Sequence, residues 1–233
     1  IGDSVAFTIG YYKPGLFEGP EGIDWIDSRS VIGCGLLAAS GFEYPKESGG
    51  FGAPAGGDCE VQAEVESLGL AEGPDVVVTF PGAWEVFAVR SPDGEVIEPM
   101  TDRMAAVQAE AIVARARAAH DAGAAFVVVG WACPGGGTPP ERRDPDFIEW
   151  FDRTMRGAVE RAAAEPGVDA RYIAPDEQVC DGGIAGDPTE AKEGWMGDSN
   201  HVPDLESGQR LWHEWLGPLL VAEMDATGEA AGG

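Results

Sequence analysis

Two short apolar runs constrain this chain more than any other feature: DVVVTF at residues 75–80 and AAFVVVGW at residues 124–131. Between them lies an Ala-, Arg- and Glu-rich stretch with helical spacing over residues 101–122, followed by Gly123, a usual helix stop. Runs this short with β-branched residues on both faces describe strands buried on both sides. Such strands belong to parallel sheets whose crossovers are helices. The alternation extends in both directions. Residues 30–37 (SVIGCGLL) read as a short buried strand, 61–68 as a short helix, 144–164 as a helix, 168–173 (VDARYI) as the last strand and 204–223 as a closing helix. With a strand ending at Ile1 and a helix over 4–12, this order predicts an α/β fold. Its form is a three-layer α/β/α sandwich around a five-stranded parallel sheet of flavodoxin-like type.

At 233 residues with 44% hydrophobic content the chain can bury one large core, so a single domain is expected over 1–225, with a frayed tail over 226–233. Ile1 reads as the end of a strand, so the sequence is expected to begin inside a longer protein or to have lost a leader. The longest apolar stretch, 124–132, is too short to span a bilayer, and this segment is not expected to insert into a membrane. Fifteen Lys and Arg against 41 Asp and Glu give a formal net charge of −26, which repels nucleic acid and anionic lipid. The acidity fits either a salty habitat or a solubilising surface.

Four cysteines, Cys34, Cys59, Cys133 and Cys180, show no CxxC or His-rich spacing, so they do not describe a zinc site. Two disulfides fit better, and sequence neighbourhood pairs Cys34 with Cys59 and Cys133 with Cys180, although four cysteines allow three connectivities. Disulfides imply an oxidising compartment; the competing reading is four buried thiols. The Gly- and Pro-rich stretch 40–60 reads as a surface insertion or as a loop lining a site.

In a parallel sheet of this kind ligands bind at the carboxyl ends of the strands. Ser4 follows the first strand, Gly33-Cys34-Gly35 the second, Gly82-Ala83-Trp84-Glu85 the third, and the Asp198 region the fifth. Taken alone, Ser4 is either a helix cap or a nucleophile. A nucleophilic serine needs a base and a group to orient that base. Of the three histidines, His120 and His213 fall within predicted helices, where solvated or packing roles suffice. His201 lies in a loop, three residues after Asp198, a step that lets a turn bring the carboxylate against one imidazole nitrogen.

These anchors together resemble the SGNH, or GDSL-like, hydrolases and acyltransferases: Gly2-Asp3-Ser4, a glycine after the second strand, a glycine-led turn after the third, and Asp198-x-x-His201 before the final helix. The resemblance implies that Ser4 is the nucleophile, His201 the general base and Asp198 its orienter. It also implies an oxyanion hole drawn from the backbone at Ser4, at Gly33 or Gly35, with Gly35 preferred because it follows the cysteine nearest the strand end, and at Gly82. The third block departs from the family pattern of Gly-x-Asn-Asp, because Trp84 stands where the family has an oxyanion amide and an indole N–H is a single donor on a larger frame. Trp84 therefore supplies a differently placed donor, walls the pocket or packs. Trp84, Glu85 and Trp195 are expected to contact substrate. The GAWE variant and the paired cysteines look most like the extracellular SGNH domains of bacterial membrane-bound acyltransferases, which implies an upstream membrane domain and a cell-surface location.

The expected chemistry is hydrolysis of an acyl ester or O-acyl transfer, acetyl above all, to a glycan through an acyl-enzyme on Ser4. A non-catalytic glycan-binding domain on the same fold is the alternative. A nucleotide-binding protein of flavodoxin type lacks its phosphate loop here, since neither G-x-G-x-x-G nor G-x-x-x-x-G-K-S/T follows the first strand. No cofactor is expected.

Overall fold

A computed structural model describes residues 1, 4–11, 20–46, 49–52, 59–82, 84–130, 144–175, 201 and 204–228. In chain order the elements are α1 (Ser4–Tyr11), β1 (Tyr44–Pro45), β2 (Phe51–Gly52), α2 (Gln62–Ala71), β3 (Val76–Thr79), β4 (Val89–Arg90), β5 (Val96–Ile97), α3 (Asp102–Asp121), β6 (Ala125–Val129), α4 (Pro145–Ala163), β7 (Ala170–Ile173), α5 (Leu205–Arg210), a π-helical turn (Leu211–Leu216) and α6 (Gly217–Gly228).

The two valine-rich runs pair as expected. β6 lies between β3 and β7 in a parallel sheet, with Val76 opposite Ala125 and Phe126 opposite Ala170. All five β6 residues are buried, and alternate side chains enter different cores. Phe126 and Val128 join Met104, Ile112, Phe147 and Phe151 on the face covered by α3 and α4. Val127 and Val129 join Ala6, Ile9, Leu211, Trp212 and Trp215 on the face covered by α1 and the C-terminal helices. Helices thus cover both faces of the sheet. Among the described residues no helix is long and apolar enough to cross a membrane.

The helix ends carry the chemistry their sequences promise. The Thr101 hydroxyl caps α3 by accepting from the Met104 N–H, at 3.2 Å, and Asp204 caps α5 by accepting from the Ser207 N–H, at 2.8 Å.

Three expectations are corrected. The parallel sheet has three strands among the described residues, not five. At the first position only Ile1 is described next to β3: its amine donates to the Val78 carbonyl at 2.6 Å, and its carbonyl accepts from the Phe80 N–H at 3.4 Å. Residues 30–37 form turns leading to a 3₁₀ turn at Ala38–Ser40, not a strand. Gly33 takes a left-handed φ of 80°, and the N–H groups of Leu36 and Leu37 go to side chains, not to a neighbouring strand. Finally, the closing helix is three helical pieces, and α6 runs through residues 226–228 of the expected tail.

The stretch 40–60 contains β1 and β2, an antiparallel hairpin, and the chain after β3 contains a second hairpin, β4 and β5. A backbone bridge between Glu43 and Arg90 joins the hairpins, and the same two side chains form an ion pair. This junction buries Tyr44 completely beside residues 33–38.

Candidate functional site

The carboxyl end of β3 leads through Phe80 and Pro81 into Gly82, Trp84 and Glu85. Glu85 is only 2% exposed, which excludes the substrate contact expected of it. Its carboxylate instead accepts three backbone N–H groups: one oxygen takes Leu36 at 2.6 Å, the other takes Gly82 at 2.8 Å and Trp84 at 3.3 Å. One buried acid therefore ties the turn after β3 to the turn at residues 33–36. Burial pushes the Glu85 carboxyl above the usual carboxylate range, and its backbone donors pull it back towards the ionised form.

This staple redistributes the expected oxyanion donors. The Gly82 N–H points at Glu85, which removes it from the set. In the other turn the Cys34 N–H donates to Val31, Leu36 to Glu85, Leu37 to the Tyr44 hydroxyl at 3.2 Å and Ala38 to Gly35. Gly35 lies between the Cys34 and Leu36 donors of this turn. Only glycine fits there, since a Cβ would lie 2.4 Å from the Tyr44 hydroxyl and 2.6 Å from the Trp84 Cβ.

Trp84 is half-buried at this junction. Its ring meets Tyr44 edge-on, with centroids 5.8 Å apart, and lies 5.9 Å from Phe87. It touches both cores, so one side of the ring is committed to packing.

Ser4 is the first residue of α1, three residues beyond the Ile1 that pairs with β3, and so at the carboxyl end of the sheet. Its side chain, together with Asp198, Trp195, Cys133 and Cys180, lies outside the described residues. His201 is half-buried and stands just ahead of the Asp204 cap of α5. The helices that follow it pack on the same face as α1, and the Trp212 indole N–H donates to the Ile9 carbonyl of α1 at 3.0 Å. The described structure thus brings the helix begun by Ser4 and the helical segment entered after His201 onto one face of one sheet.

Compared with known protein families, curated proteins and solved structures, the chain matches none.

The Cys34–Cys59 disulfide forms as expected, with Cα atoms 5.5 Å apart, and fastens the Gly35 turn to the 3₁₀ turn Cys59–Val61 that opens α2. It closes a loop of sequence separation 25, which in the chain-entropy model stabilises the fold by ~3.5 kcal/mol. Cys34→Ser is therefore expected to lower the urea-derived unfolding free energy by about 3 kcal/mol under oxidising conditions. A loss below about 1 kcal/mol would mean that packing alone holds this turn.

One residue of this site, Tyr44, and the structural role of Glu85 are missing from the sequence reading. The available signal is Glu85 itself, a lone acid within the apolar string Trp84-Glu85-Val86-Phe87. An acid in such company is buried only where donors meet it.

Proposed function

We propose that this chain is a serine-dependent hydrolase or O-acyltransferase of SGNH type acting on acyl esters, with a carbohydrate as the preferred acceptor or substrate. The observation that carries the reading is the Glu85 staple. It holds the Gly35 turn beside the carboxyl end of the strand that pairs with Ile1, on the rim where α1 begins. In this reading Ser4 attacks the ester carbonyl, His201 accepts the serine proton and returns it to the leaving group, and Asp198 orients the imidazole. The backbone N–H groups of Ser4 and Gly35 receive the developing oxyanion. The resulting acyl-enzyme is discharged by water or by a sugar hydroxyl. The Cys34–Cys59 disulfide supports an extracytoplasmic location, and fusion to an upstream membrane acyltransferase domain fits it.

A serine-reactive fluorophosphonate tests the proposal. Labelling of Ser4 is expected, absent in Ser4→Ala and strongly reduced in His201→Ala. Folded protein that takes no label would favour the second reading, a glycan-binding domain. Two features favour that reading: Trp84 replaces the family's amide, and the Gly82 N–H is committed to Glu85.

A further inference from the structure

A cavity of about 10 Å³ lies against Glu85, where Gln62 of α2, Thr79 of β3 and Arg115 of α3 also line it. That is room for one water molecule. Gln62, only 1% exposed, and Thr79 are both buried, and polar side chains stay in a core where partners meet them.

The hydrogen bonds around this cavity leave two acceptors facing one space. The Gln62 amide NH₂ donates to Glu66 Oε1 at 3.1 Å, and Gln62 Oε1 is buried without a hydrogen-bond partner among the described residues. Glu66 is itself held by Arg115, whose Nε and Nη2 each donate to one of its oxygens at 3.1 Å. Turning the Gln62 amide over would set its oxygen against that carboxylate, so the oxygen is the atom left for the cavity. On the other wall, Glu85 accepts three N–H groups, and two carboxylate oxygens offer about four lone-pair directions, so one direction remains. An amide oxygen and a carboxylate cannot bond each other. A molecule with two donors joins them, and water is the one that fits the space. The Arg115 guanidinium on the same wall disfavours a cation in its place.

We propose that Gln62, Thr79 and Glu85 bind a single buried water, which donates one hydrogen to Gln62 Oε1 and the other to the Glu85 carboxylate and accepts from the Thr79 hydroxyl. One polar chain then runs from Arg115 through Glu66, Gln62 and the water to Glu85, and so ties α3 and α2 to the two turns that Glu85 joins. Buried waters of this kind make about three hydrogen bonds and are costly to remove. The site rests on the Glu85 staple and is independent of any role for Ser4.

A high-resolution crystal structure of this chain is expected to show one peak in the cavity, about 2.5–3.0 Å from Gln62 Oε1, from the Thr79 hydroxyl and from a Glu85 oxygen. A cavity without density would overturn the proposal. So would a direct contact between Gln62 Oε1 and Glu85, which marks a protonated carboxyl in place of the water, or a peak ringed by six or more oxygens at about 2.4 Å, which marks a cation. Stability supplies a second readout. Gln62→Met removes one partner of the water and Thr79→Val another, each at nearly constant volume, and each is expected to raise the unfolding equilibrium constant about 5-fold or more. The loss of the Gln62–Glu66 hydrogen bond cancels in the double-variant comparison. Because both changes strip the same water, the double variant should fall short of the product of the two single effects by at least about 3-fold. Purely multiplicative effects would overturn the shared water, and should a variant fail to fold, the peak in the parent protein decides.

Discussion

Replacing Ser4 with alanine is expected to lower kcat on short-chain nitrophenyl esters by about 10⁴-fold or more, since no acyl-enzyme can form without the hydroxyl. His201→Ala should lose a similar factor, because a serine without its base is a poor nucleophile at neutral pH. The double variant then carries the diagnostic. Groups that act as one unit are strongly non-additive, so Ser4→Ala combined with His201→Ala should be no slower than either alone. Multiplicative losses would mean that the two residues act separately, and Ser4→Ala retaining a tenth of the activity would place the nucleophile elsewhere. Running the series with and without a glycan acceptor separates hydrolysis from transfer, since an acceptor that intercepts the acyl-enzyme changes the product without restoring either variant.

The sheet was legible where one physical signal dominated. DVVVTF and AAFVVVGW become β3 and β6 within one or two residues of the expected bounds, because a run apolar on both faces has one stable environment. The stretch 101–122 becomes α3 (Asp102–Asp121) for an equally local reason, a threonine cap at one end and Gly123 at the other. Residues 30–37 misled because apolarity was their only signal. Their conformation is decided from outside, by the disulfide at Cys34, the carboxylate of Glu85 and the hydroxyl of Tyr44. The two-residue hairpin strands are equally non-local, joined through Glu43 and Arg90 across 47 residues of chain. The closing segment kept its helical period but not its regularity: the π-helical turn aims Leu211, Trp212, Trp215 and Leu216 into the core beneath α1. At the candidate site, a turn after β3 was readable and its bonding was not. Gly35 and Gly82 look alike as glycines expected after strands, yet only the folded chain commits the Gly82 N–H to Glu85 and brings Tyr44 and Trp84 against Gly35.

Glu85 is the common acceptor that joins the turn after β3 to the turn at residues 33–36. Glu85→Ala strips the acceptor from three N–H groups, two of them at the fully enclosed residues Leu36 and Gly82. Each buried donor left unsatisfied costs about 1–3 kcal/mol, so an overall loss of about 3–5 kcal/mol is expected, allowing for partial relaxation. Glu85→Gln is the sharper variant. Its volume is unchanged, but an amide offers one oxygen, and its NH₂ must then face either the Leu36 N–H or the Gly82 and Trp84 N–H groups as donor against donor. An expected loss of about 1–3 kcal/mol follows, with the two rim turns no longer held by a common acceptor. If Gly35 supplies an oxyanion donor, kcat in Glu85→Gln should fall by 10-fold or more, measured well below the variant's Tm, while KM changes little, because the displaced N–H acts where charge develops. A Glu85→Gln protein as stable and as active as the parent would show that the carboxylate is not what aligns these turns.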